Sequence, residues 1–133
     1  MTQDQQSGLE ASRYGHRCAR LIAKAIGAEM VGNKSNECVW NGQPLVVKTA
    51  HSQTTSVGVL YHMMDRIKGV LGAFEQDDGA YRVMLLPIER CAVVMRPTGS
   101  KGASRDRVGI IDRNVFESEG RLVGIVKVEE SLE

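Results

Sequence analysis

The apolar residues of this chain recur with two different periods. Over residues 9–26 they return every three or four positions, which predicts an amphipathic helix that ends at Gly27. The same spacing returns further along and predicts a second helix over residues 56–75. Three glycines weaken this second helix as an isolated element: Gly58, Gly69 and Gly72.

Between these segments, residues 35–50 (SNECVWNGQPLVVKTA) alternate around Asn41-Gly42, a strong signal for a two-residue β-hairpin turn. Such a turn places Glu37 opposite Val46. Because side chains alternate between the faces of a strand, the two faces can be separated. The first face carries Cys38, Trp40, Leu45 and Val47, and the second carries Ser35, Glu37, Val39, Val46 and Lys48.

The remaining pattern predicts further strands. We expect a short strand at 28–31, a buried strand at 81–87 and two more at 108–111 and 122–128. The apolar run 88–95 fits either a helix or a strand, and 96–107 has the composition of a basic loop. The predicted order is αβββαβ with a C-terminal β-rich extension, which is an α+β fold.

The composition narrows the class of protein. The 133 residues suit one domain, and the polar residues 1–7 suit a disordered tail. A net charge of +1 selects no charged partner by itself. The three cysteines lack metal-site spacing and are expected to be reduced thiols in the cytoplasm. No segment has the pattern of a secretory signal or a membrane span.

The second hairpin face brings two opposite charges together. Glu37 and Lys48 are diagonal neighbours there, about 7–8 Å apart at the backbone. On an exposed face they would form an ordinary ion pair that contributes about 0.2–1 kcal/mol. In a partly enclosed cleft, however, a carboxylate and a lysine can hold a metal ion and a polarised water.

Over about residues 8–87 the sequence resembles the PD-(D/E)XK superfamily, the restriction-endonuclease-like nucleases. The segment NKSNECVWNGQPLVVKTA is similar to the signature hairpin of that superfamily. The resemblance implies that Glu37 is the first acid and Lys48 the signature lysine. It also implies that Glu10 is the helix glutamate of some Holliday-junction resolvases, and that Gln53 is the polar residue often found after the lysine strand.

The sequence departs from the signature at one position. Val46 stands where the superfamily has its second acid, which helps to bind a divalent metal, usually magnesium. Valine offers neither charge nor a hard oxygen ligand. Either another acid moves into the space, with Glu10 and Glu29 as candidates, or the site is inactive.

Two groups of basic residues could contact nucleic acid. Cations at helical spacing form a row on the first helix, and others lie in the 96–107 loop. Solvated surfaces explain such residues as well, but a row of cations can also follow a phosphate backbone. The row consists of Arg13, Arg17, Arg20 and Lys24, with His16 adjacent, and the loop contributes Lys101 and Arg105.

The resemblance therefore implies a nucleic-acid-processing domain that acts on DNA, with Lys48 and Glu37 as catalytic residues and Mg²⁺ held by Glu37 and Glu10. The alternative is a non-catalytic binding or scaffold module on the same fold, in which Glu37 and Lys48 form a structural ion pair. His51 follows the lysine strand and is either a general base, a metal ligand or a surface side chain. A homo-oligomer is compatible with the sequence.

Overall fold

The computed structural model describes residues 3–32, 36–97 and 107–128, with side chains in the first helix from Gly15 onward. This part of the chain forms three α-helices and two sheets, which confirms a mixed α+β fold. The elements are α1 (Gln3–Ile26), β1 (Glu29–Met30), β2 (Glu37–Trp40), β3 (Gln43–Ala50), β4 (Ser56–Leu60), a 3-10 helix (Tyr61–Met63), β5 (Gly69–Glu75), β6 (Ala80–Pro87), α2 (Ile88–Val94), β7 (Arg96–Pro97), β8 (Val108–Asp112), α3 (Arg113–Glu119) and β9 (Arg121–Lys127).

The larger sheet has six strands in the order β1-β2-β3-β5-β6-β9. Only the β3–β5 pair is parallel, and the other neighbours are antiparallel. A smaller sheet has the order β4-β8-β7. The connection from β3 to β5 therefore carries the chain through β4 and the 3-10 helix before it returns to the larger sheet.

The predicted β2–β3 hairpin is confirmed. Asn41 and Gly42 both have positive φ, 51° and 76°, as a type I′ turn requires. The register pairs Glu37 with Val46 and Cys38 with Leu45. The two faces of the hairpin therefore carry the residues that the sequence assigned to them.

The central strands of the larger sheet, β3, β5 and β6, are buried on both sides. On one side α1 packs with Ile22 and its neighbours against Cys38, Leu45 and Val47. On the other side the smaller sheet, α2 and α3 enclose a second core around Val46. That second core also contains Val57, Val59, Val70, Phe74, Met84, Leu86, Ile111 and Phe116. The second hairpin face thus continues directly into a hydrophobic core.

The helix predicted over 56–75 is wrong. Its apolar stripe is divided between β4, in which Val57 and Val59 are buried, and β5, which is buried along nearly all of its length. The β-branched residues favour strands here, the glycines disfavour a helix, and pairing with β3 and β8 overrides the helical spacing. Gly72 lies so close to the Phe116 ring that an added Cβ would be 2.8 Å from it.

The other elements differ less from the prediction. α1 begins at Gln3 and so includes most of the segment expected to be a tail. β8 and β9 confirm the strands expected near 108–111 and 122–128, and the undecided run 88–95 forms α2. The short helix α3 was not predicted. None of the described helices is long and apolar enough to cross a membrane.

Replacing Gly72 tests the packing of the second core. In Gly72→Ala the new methyl group would lie 2.7–2.9 Å from the rings of Phe74 and Phe116, which cannot move freely in a closed core. We expect the free energy of unfolding to fall by about 1–3 kcal/mol in urea titrations. Gly15→Ala is the matched control, because its Cβ would lie 3.7 Å from Thr49 Oγ1 and alanine favours a helix. Equal stability of the two variants would contradict this packing.

Candidate nucleic-acid site

Glu37 opens β2 and lies on the sheet side opposite α1. Its Oε1 accepts hydrogen bonds from Arg66 Nε at 3.0 Å and Nη2 at 2.5 Å. Arg66 lies in the turn after the 3-10 helix, where its backbone N–H donates to Met63 O. The β3–β5 connection therefore delivers a guanidinium to the carboxylate that the resemblance treats as the first acid.

Lys48 lies on the same side of the sheet, two residues beyond Val46 in β3. Gly72 is its neighbour in β5, and Val46 and Ala50 flank it along the strand. Burial lowers the pKa of the Lys48 ammonium, because a less polar environment disfavours the charged form. Lysine at this position costs stability unless an anion compensates its charge.

The expected contact between Glu37 and Lys48 is wrong for the described residues. Their shared face is confirmed, but the carboxylate is paired with Arg66, and no ion pair of Lys48 lies within the described ranges. The non-catalytic alternative expected a structural ion pair between Glu37 and Lys48. Glu37 forms that pair with Arg66 instead, a residue that the sequence did not single out. Nothing local in the sequence marks Arg66, since its position depends on the course of the β3–β5 connection.

The described residues do not fit a magnesium site. Val46 is only 1% exposed and lies inside the second core, so no oxygen ligand stands at the second acidic position. Nowhere in the described ranges do three or more His, Cys, Asp or Glu side chains gather as they would around a metal. Glu29 is exposed on β1, on the same side as Glu37, because it pairs with Val39. The side chain of Glu10 lies outside the described residues.

His16 links α1 to the start of the hairpin. Its Nδ1 lies 2.9 Å from Asn36 Oδ1, a hydrogen bond in which the imidazole N–H donates. Asn36 O in turn accepts the N–H of Val47 at 2.9 Å. His16 is therefore half-buried, and one of its ring nitrogens holds α1 to the start of the hairpin. The sequence grouped it instead with the basic row on α1.

The basic row of α1 lies on the other side of the molecule from Lys48. Arg17, Arg20 and Lys24 are exposed, as expected. The buried face of the helix, around Ile22, packs on the opposite side of the sheet from the second core. Three further predicted contacts lie outside the described residues or side chains: Arg13, Lys101 and Arg105. The row and the hairpin face are thus separated by the sheet.

His51 and Gln53 follow β3 in an exposed loop. His51 Nδ1 lies 3.5 Å from Glu75 Oε1, at the end of the parallel neighbour β5. Glu75 Oε1 also accepts the backbone N–H of Ser52 at 3.1 Å. The loop that carries His51 and Gln53 is therefore held against the end of β5.

Arg113 also holds this loop in place, and this residue was not identified from the sequence. Its Nη1 donates to Ser52 O at 3.0 Å and its Nη2 to Glu75 O at 3.3 Å. The guanidinium carbon lies 5.1 Å from the centroid of the Phe74 ring, within cation–π range. Arg113 is the first residue of α3, so the helix absent from our prediction also positions the loop after β3.

Comparison with known proteins gives a structural likeness but no match in sequence. No family model matches the sequence, and no curated protein matches it either. The structure is similar to that of Archaeoglobus fulgidus Hjc, a Holliday junction resolvase from an archaeal hyperthermophile. The TM-score is 0.44 at 10% sequence identity, and the match covers 84% of this chain and 91% of that chain. A likeness at this level by itself establishes neither a shared family nor a shared activity.

Removing the Lys48 charge should stabilise the protein. In Lys48→Met the desolvation cost disappears, and we expect the free energy of unfolding at pH 7 to rise by about 0.5–2 kcal/mol. The folded pKa of Lys48 is lowered, so at high pH the unfolded state binds more protons and wild-type stability rises. The advantage of the variant should therefore shrink as the pH approaches 10.5.

The exposed Lys68 provides the control for this measurement. Lys68→Met should change stability by no more than about 0.5 kcal/mol, because its side chain is solvated. Urea titrations of the three proteins between neutral and alkaline pH make the comparison. A Lys48→Met protein less stable than wild type at pH 7 would show that the ammonium is already compensated.

Proposed function

We propose that this chain is a nucleic-acid-binding domain with a hairpin like that of the restriction-endonuclease-like nucleases, and that it holds a DNA phosphate at Lys48. The observation that carries the proposal is a lysine whose pKa is lowered by burial, on a sheet face beside a carboxylate that Arg66 already neutralises. A perturbed ionisable group without a compensating charge marks a candidate functional site.

A phosphate would supply the anion that Lys48 lacks among the described residues. A hydrogen bond between charged groups contributes about 1.5–3 kcal/mol, and it is stronger where water is partly excluded. The side chain of Arg66 is 56% exposed, so its guanidinium remains accessible while it pairs with Glu37. Lys48 and Arg66 therefore place two cations on the face that carries the Glu37 carboxylate.

Binding fits this face better than cleavage does. The carboxylate of Glu37 is engaged by Arg66, and the second acidic position is a core valine. No step through a metal ion follows from such a set of side chains. The domain would thus retain the phosphate-facing lysine of the superfamily hairpin and use it for recognition.

A magnesium-dependent DNA phosphodiesterase is the second candidate. It is favoured by the shared face of Glu37 and Lys48, the arrangement that the superfamily signature requires. This candidate needs a further acid, for which the sequence offers Glu10 on α1 and Glu29 on β1. The exposed row Arg17, Arg20 and Lys24 would then bind a separate part of the DNA.

The two basic surfaces can be tested separately by DNA binding. Lys48→Met should weaken binding of a DNA duplex by roughly tenfold or more at low salt, whereas Lys68→Met should bind as wild type does. Losing one phosphate contact should also reduce the slope of log affinity against log salt by about 0.9. Fluorescence anisotropy over a salt series measures both quantities.

The Arg17→Gln/Arg20→Gln protein completes that experiment. If the helix row also binds DNA, the slope of log affinity against log salt should fall by about 1.8 in this variant, because two phosphate contacts are lost. Its stability should change by at most about 0.5 kcal/mol per site. Unchanged affinity would leave the row as a solvated surface. Wild-type protein that binds no DNA at low salt would remove the proposal as a whole.

Incubation with DNA in magnesium or manganese separates the two candidates. For the binding domain we expect no cleavage of supercoiled, linear, branched or single-stranded DNA, and no shift of the melting temperature with either ion. Cleavage by the wild type that is lost in Glu37→Gln, while Glu29→Gln or Glu10→Gln identifies the further acid, would establish the phosphodiesterase instead. The Glu37→Gln sample, purified in the same way, controls for a contaminating nuclease, and Lys68→Met should cleave as the wild type does.

A further inference from the structure

Arg66 pairs with Glu37 through one edge of its guanidinium. Nε and Nη2 both donate to the same carboxylate oxygen, Oε1. In the part of the chain that the structure describes, Nη1 has no hydrogen-bond partner. Since a guanidinium carries five N–H donors in a rigid plane, a second edge of Arg66, with one N–H on Nη1 and one on Nη2, is left for another acceptor.

The two partners differ in how firmly they are held. The side chain of Glu37 is 17% exposed and lies on strand β2, whereas that of Arg66 is 56% exposed and follows the 3-10 helix in a turn. The carboxylate therefore fixes the orientation of a longer side chain that is open to solvent. An exposed ion pair contributes little to stability, but a side chain that is already oriented loses less rotamer freedom when it binds a ligand.

Lys48 lies on the same face of the sheet. Val46, which pairs with Glu37, is two residues before Lys48, so Glu37 and Lys48 are diagonal neighbours about 7–8 Å apart at the backbone. Arg66 contacts Glu37 on this face, so both cationic residues lie close to one carboxylate. A DNA strand carries a phosphate about every 3.4 Å along the helix axis, so a strand that contacts Lys48 brings its neighbouring phosphates within reach of Arg66.

We infer that Arg66 is a second phosphate-binding residue of this site and that Glu37 is its positioning residue. The carboxylate occupies the Nε–Nη2 edge, and the Nη1–Nη2 edge donates to a phosphate near the one at Lys48. Two parallel N–H groups match two phosphate oxygens, which is the geometry of a bidentate contact. This inference rests on the proposed binding of DNA at Lys48, and it gives Glu37 a role that requires no metal ion.

A double-mutant cycle measured by DNA titration tests both assignments. We expect Arg66→Met to weaken binding of a DNA duplex by about tenfold at low salt, and to lower the slope of log affinity against log salt by about 0.9. In the Glu37→Met background the same substitution should cost no more than about threefold, because a guanidinium that is not held in place pays for its ordering when it binds.

The chain offers a matched control for each residue. Lys68 is an exposed cation two residues from Arg66, and Lys68→Met should bind DNA as wild type does. Glu29 is an exposed carboxylate on the neighbouring strand and on the same side of the sheet as Glu37. In the Glu29→Met background, Arg66→Met should therefore keep its full cost. Circular dichroism checks the fold of each variant, and Glu37→Gln replaces Glu37→Met if the latter does not fold.

The sign of the coupling distinguishes positioning from competition. If Glu37 competed with DNA for the guanidinium, Arg66→Met would cost more in the Glu37→Met background than in wild type, and that result would overturn the inference. An equal cost in both backgrounds would remove the positioning role, and wild-type affinity and slope in Arg66→Met would remove Arg66 from the site. The proposed function stands in these cases if Lys48→Met still weakens binding, whereas wild-type protein that binds no DNA overturns both.

Discussion

The left-handed turn at Asn41-Gly42 is the constraint on which the candidate site depends. It sets the register of β2 against β3, and a slip by one residue would exchange the two faces of a strand. With the observed register, Leu45 and Val47 reach the α1 core while Val46 reaches the second core. Glu37 and Lys48 consequently lie on the side of the sheet that faces the smaller sheet.

Burial on that side gives Lys48 its distinctive character. A lysine on an open sheet face would be an ordinary solvated cation. Here the strand carries it to the margin of a core that holds Val46, Val70 and Phe74, and the pKa of the ammonium falls. Position 46 therefore contributes a valine to the second core and offers no oxygen ligand, and two residues further along the strand Lys48 is a partly desolvated cation. That combination favours binding of an anion over coordination of a metal.

The β3–β5 connection decides what happens to Glu37. If residues 56–75 were a helix, Arg66 would lie on a helical surface. Instead β4 pairs with β8, and the 3-10 helix and turn bring Arg66 onto the carboxylate. Arg113 secures the other end of the same connection through carbonyls of the loop after β3. Two arginines from distant parts of the chain therefore shape the surface around a hairpin that carries neither.

The sequence by itself determined the features that depend on local geometry. Turn chemistry and alternation gave the hairpin register, helical periodicity gave α1, and residue type gave the missing acid at Val46. It could not determine whether the stripe from Val57 to Phe74 is helix or strand, because apolar residues three or four apart serve both when long-range pairing is available. Only the tertiary structure brought Arg66 to Glu37, since that contact depends on strand order, which local sequence does not encode.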